Sequence, residues 1–128
     1  MVEMSETISK YKATVTEIGE LVSEFIAEGI LVFFGEDAPP ELREFSIIHD
    51  GKTLAADVAP QDTLIIDDEK YTVLAVGEVA NTNLSNLGHL IIKFNGQTTP
   101  QLPGDVCVEE KPVHQVKIGS VFEIIGRK

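Results

Sequence analysis

Apolar residues fall in short runs separated by turn-forming residues, and most of the runs alternate. In "YKATVTEIG" (11–19) Ala13, Val15 and Ile18 face inward, which predicts a strand ending at Gly19. "ELVSEFIAEG" (20–29) differs, because Leu21, Val22, Phe25 and Ile26 recur at helical spacing and Gly29 suits a C-terminal cap. "ILVFFG" (30–35) is a continuous apolar strand, and "EDAPPEL" (36–42) is a loop whose prolines open a helical turn. A strand over Phe45–His49 runs into Asp50-Gly51, a strong hairpin signal. Thr63–Ile66 and Tyr71–Val76 form a hairpin with a solvated tip at Asp67, Asp68 and Glu69. "VANTNLSNLG" (79–88) reads as a short helix with an Asn cap and Gly88 as terminator. "HLIIKF", "DVCVEE" and "SVFEIIG" supply three further strands. The count predicts an all-β, barrel-like sandwich of about eight short strands with one or two short helices. Residues 1–10 are expected as a flexible tail, and 11–128 as a single domain.

Composition narrows the function. A length of 128 residues with 43% hydrophobic content supports one cored domain. The net charge of −11 argues against nucleic-acid binding, since too few Lys and Arg are present to neutralise phosphates. It argues equally against an anionic membrane surface and favours a basic or neutral partner. The single cysteine, Cys107, reads as a small apolar strand residue, and the polar N-terminus carries no signal peptide; both fit the cytoplasm. No apolar run reaches the ~20 residues that span a bilayer.

Few residues are placed for chemistry. "GKT" at 51–53 lacks the earlier glycine and the following helix of a phosphate loop, so a turn is the simpler reading. No His, Cys or carboxylate spacing predicts a metal, and no cofactor is expected. His114 lies in a proline-containing loop and reads as exposed and idle. His49 and His89 both stand at strand ends beside glycine-containing turns. His49 reads as a rim position, where truncation would open no large cavity. Two imidazoles at a sheet rim suit phosphoryl relay: neutral imidazole is nucleophilic near pH 7, a second ring can donate to phosphoryl oxygens, and the backbone N–H groups of Asp50 and Gly51 can bind phosphate. A non-catalytic β-domain for protein interaction, or for binding a small ligand or metal, fits the same pattern.

Three segments carry a resemblance. "ELREFSIIHDGKTL", "YTVLAVGEVANTNLSNLGHLIIKFNG" and "PGDVCVEE…IGSVFEII" are similar to the glucitol/sorbitol-specific IIA component of the bacterial phosphotransferase system, from about Tyr11 to Ile125. The most specific pieces are "EF-x-x-IH" before the turn and "VA-x-x-NL-x-x-LGH" after it. The resemblance implies a barrel-like β fold and a cytoplasmic phosphocarrier. It would accept a phosphoryl group from HPr and pass it to the IIB component, meeting the membrane only through the sugar permease. It also implies His49 as the phosphohistidine and His89 as a supporting residue. Asp50 adds a negative charge beside the acceptor, for Lys52 or the turn N–H groups to offset. A homodimer stays open through pairing of an exposed strand edge.

Overall fold

Period-two alternation builds the wall of the molecule. In the computed structural model, which describes residues 7–127, strand β1 (Thr7–Ile18) buries Tyr11, Ala13 and Val15 and turns Lys12 and Thr16 to solvent. Helix α1 (Val22–Ala27) ends near Gly29, whose φ of 76° serves the left-handed turn into strand β2 (Ile30–Gly35). Helix α2 (Pro40–Arg43) starts on its proline and leads to strand β3 (Ile47–His49). Strands β4 (Thr63–Ile66) and β5 (Glu69–Val76) form the expected hairpin. Helix α3 (Ala80–Leu87), strands β6 (Leu90–Lys93) and β7 (Asp105–Val108), and strand β8 (Val121–Arg127) complete the chain.

The eight strands close in the order β1-β3-β2-β6-β7-β5-β4-β8. The β2–β3 and β6–β7 pairs are parallel and the remaining pairs antiparallel. The all-β barrel agrees with the expected class, with three short helices where one or two were expected. Closure removes the exposed edge on which a homodimer was left open: among the described residues every strand has two neighbours. Among those residues, too, no helix is long and apolar enough to cross a membrane.

Several local expectations are corrected. Thr7–Lys10, expected in the tail, belong to β1; residues 1–6 of that expectation lie outside the described residues. Asp50-Gly51 makes no hairpin, because β3 pairs with β1 and β2 and a long connection, residues 50–62, follows it. That connection is pinned by Lys10, whose ammonium donates to the Asp62 carboxylate and the Asp57 carbonyl, each at 2.8 Å. Lys10 is the extra residue of a bulge between Ser9 and Tyr11, which re-aims its side chain. Helix α3 has no side-chain cap; Asn81 is spent instead on the N–H and C=O of Val58.

The core fills the barrel. Tyr11, Leu31, Phe33, Ile47, Leu64, Leu90, Ile92 and Phe122 belong to one buried cluster, while Phe34, Ala38 and Ile48 form a separate small one, packed against Leu42 of α2.

Candidate functional site

Parity along β3 decides where the first candidate side chain goes. Ile47 packs in the main core and Ile48 in the cluster outside the wall, so His49 returns to the inside. Its ring meets Tyr11, Phe33 and Phe122 edge-on, with centroids 5.8, 6.2 and 5.1 Å away. The side chain is 0% exposed, which corrects the rim expectation: truncating it would hollow the core.

Both ring nitrogens are bonded to backbone. The N–H of Gly51 donates to Nδ1 at 3.0 Å, so Nδ1 carries the lone pair and Nε2 the proton. Nε2 then donates to the carbonyl of Gly88 at 2.7 Å. One neutral tautomer satisfies both contacts. Burial lowers the His49 pKa below its ordinary value, and the Gly88 carbonyl, Asp50 and Glu36 only partly oppose it.

Glycines bring the backbone this close. Gly88 ends α3 at φ 66°, and a Cβ there would meet the Gly35 nitrogen at 2.9 Å and His49 Cε1 at 3.0 Å. Gly35 is the register partner of His49 across β2–β3. A Cβ on Gly51 would lie 2.6–2.8 Å from the outer end of Tyr11. Above these three glycines a pocket of about 120 Å³ opens to solvent, with Glu36, Asp37 and Lys52 on its rim. Lys52 pairs loosely with Glu36 at 3.5 Å in an exposed position.

The two candidate histidines do not meet. Leu90 and Ile92 of β6 face the core, so His89 points outward. It stacks on Phe34 at 4.5 Å and donates from Nδ1 to the Phe33 carbonyl at 3.2 Å. The "LGH" segment thus reaches His49 through the Gly88 carbonyl and not through the His89 ring. Asp50 is occupied in the barrel ladder: its N–H donates to the Thr14 carbonyl and its carboxylate accepts from the Thr14 N–H. The Gly51 N–H is occupied by His49.

His114 and the hairpin tip are not idle. Asp67 accepts from His114, Ser120 and the Val121 N–H, each at 3.0 Å. Burial pushes the Asp67 carboxyl up, but these bonds outweigh it and hold it below its ordinary value. Among the described residues no three metal-ligating side chains come together. Tyr11 and the Gly88 carbonyl were missed as site components, although Tyr11 shares the inward parity of Ala13 and Val15.

Comparison with known proteins shows the family and the fold. The sequence profile of the PTS system glucitol/sorbitol-specific IIA component matches residues 10–123. The glucitol/sorbitol-specific EIIA component of Shigella flexneri is 33% identical over 113 residues, 88% of this chain and 92% of that protein. Its counterpart from Escherichia coli K12 gives the same identity and coverage. The crystal structure of a PTS system IIA component from Enterococcus faecalis V583 superposes with a TM-score of 0.75 at 28% identity, covering 87% of this chain and 96% of that one. With profile, relatives and fold in agreement, the chain belongs to the glucitol/sorbitol-specific IIA component family of the phosphotransferase system.

Proposed function

We propose that this IIA component carries its phosphoryl group on His49, taking it from HPr and handing it to a IIB component in the cytoplasm, for uptake of a sugar alcohol such as glucitol. The observation that carries the reading is the single neutral tautomer of His49, clamped between the Gly51 N–H and the Gly88 carbonyl beneath a pocket that opens to the surface.

The chemistry exchanges one imidazole for another at phosphorus. A ring nitrogen of His49 forms a bond to phosphorus as the donor's phosphohistidine N–P bond breaks, and the donor imidazole leaves neutral. Attack by the Nδ1 lone pair leaves the Nε2 proton in place, and a donor ring protonated on its other nitrogen departs as neutral imidazole, so on that route no separate acid or base is required; positioning and charge stabilisation do most of the work. Lowering the pKa by burial keeps His49 neutral and nucleophilic at physiological pH.

The ring must open to react. Attack through Nδ1, which carries the lone pair, requires the Gly51 N–H to let go, whereas attack through Nε2 requires both release of the Gly88 carbonyl and a prior shift of the Nε2 proton to Nδ1. Once freed, the Gly51 N–H is a donor for a phosphoryl oxygen. The Asp50 N–H stays in the ladder with Thr14 and serves phosphate only by holding the turn in place. Glu36 and Asp37 on the pocket rim, with the overall charge of −11, suit a basic face on the partner. Half-exposed Leu87 offers an apolar contact beside them.

His89 supports the site at one remove. Its bond to the Phe33 carbonyl and its stacking on Phe34 fix the segment that follows Gly88, and so the direction of that carbonyl. The test is transfer from phosphorylated HPr to this chain and onward to IIB. Transfer through the wild type, with none through His49→Gln, supports the assignment; acceptance and onward transfer by that variant at the wild-type rate would reject it.

A further inference from the structure

We propose that the hydroxyl of Tyr11 is a donor to the transferred phosphoryl group, hydrogen-bonding one of its oxygens as the group arrives at His49 and while it resides there. The proposal rests on the reading of His49 as acceptor and adds a second side chain to that site.

Tyr11 is 2% exposed, stacked on Phe122 at 6.1 Å, and its ring meets that of His49 edge-on. The flanking aromatic positions are phenylalanines, Phe33 and Phe122, so the core itself has no use for a hydroxyl here. The hydroxyl end emerges at the pocket. A Cβ on Gly51 would stand 2.7 Å from the hydroxyl oxygen, so that oxygen lies on the residue whose N–H holds Nδ1 of His49. Tyr11, Gly51 and Gly88 line the same pocket.

The hydroxyl has no hydrogen-bond partner among the described residues. A tyrosine hydroxyl enclosed by protein normally bonds within it; the Tyr11 oxygen instead is open to the pocket. Tyr71, the other tyrosine of the chain, donates to the Pro112 carbonyl and accepts from the His114 N–H. A lone donor at the mouth of a polar pocket lacks only an acceptor, and phosphoryl oxygens beside His49 supply it. Burial, with Asp50 adding to it, pushes the Tyr11 pKa up to about 12, so the group keeps its proton as donor. No bond to Tyr11 forms or breaks in the transfer. Lys52, a cation on the rim, is turned to Glu36.

Tyr11→Phe keeps the ring and removes only the hydroxyl. With phosphorylated HPr as donor, single-turnover transfer should slow by about ten- to a hundred-fold, the range for loss of one charge-assisted hydrogen bond. Apparent affinity for phosphorylated HPr should be unchanged. Full-speed transfer by a folded Tyr11→Phe would overturn the proposal. Should that variant not fold, wild-type chain carrying ¹³Cζ-labelled tyrosine decides: phosphorylation should shift the Tyr11 signal and leave Tyr71 unmoved, and an unmoved Tyr11 signal overturns the proposal. Full labelling of His49→Gln would instead overturn the acceptor reading, and this proposal with it.

Discussion

The Nε2–H of His49 donates to the carbonyl of Gly88 across 2.7 Å, and that one bond joins the end of β3 to the end of α3. Through it the segments "EFSIIH" and "NLGH" are held together. Gly88→Ala tests the joint. The residue sits at φ 66° and its Cβ would crowd both Gly35 and His49, so a loss of about 1–3 kcal/mol is expected from backbone strain. Chemical denaturation measures it, and labelling by phosphorylated HPr should slow in the same variant. Unchanged stability would mean that the turn accommodates a side chain freely.

Burial of His49 makes stability depend on pH in a defined direction. Its pKa is depressed in the folded state, chiefly by burial, so the unfolded chain takes up a proton at the ordinary value near 6.5 while the folded chain resists. Stability from the neutral ring is full above that value. It is lost as pH falls from about 6.5 toward the folded pKa, below which the loss levels off. The wild type should therefore lose stability relative to His49→Gln over this window, as read by melting curves at matched pH. The Asp67 carboxylate, held below its ordinary value, loses its contribution only in stronger acid, which keeps the two effects apart. Parallel pH profiles for the two proteins would contradict the buried neutral ring.

Lys10→Met tests the strap beneath the long connection. Lys10 and Asp62 are both almost wholly buried and pair at 2.8 Å. Removing the ammonium leaves a buried carboxylate held, among the described residues, only by the Ala59 N–H, a loss of about 3–5 kcal/mol. Lys10→Met with Asp62→Leu should recover a large part of it. If the single variant is as stable as the wild type, water reaches Asp62 and the strap is not closed.

His89→Gln is expected to slow transfer only slightly, less than about threefold, a change worth under 1 kcal/mol. The ring touches the Phe33 carbonyl and Phe34 and lies on the outer face of the wall. Stopped-flow transfer from phosphorylated HPr measures the rate. A loss of about a hundredfold, in a variant that remains folded, would mean that this ring reaches the phosphoryl group after all.

The outcome for the two histidines was legible in the sequence by parity. In "SIIH" the interior strand position Ile47 puts His49 on its own side, and in "HLII" the interior Leu90 puts His89 on the other. Position at strand ends made them look like a pair, but adjacency along a rim says nothing about faces. Strand count and the β4–β5 hairpin followed from alternation and turn residues, which act locally. The closed order and the parallel β2–β3 and β6–β7 pairs depend on long-range pairing, which alternation does not encode. Asp50-Gly51 misled because its turn chemistry serves a histidine and a β1 contact, not a hairpin. The bulge that turns Lys10 toward Asp62 left no mark in the pattern of apolar residues.

The most direct measurement is site mapping of the phosphoryl group. The chain is incubated with phosphorylated HPr, digested at alkaline pH where phosphohistidine survives, and its peptides are sequenced by mass spectrometry. The account predicts an added phosphoryl group on the peptide containing His49, alkali-stable and acid-labile, and absent from His49→Gln. A phosphoryl group on the peptide containing His89 or His114, or undiminished labelling of His49→Gln, would contradict it.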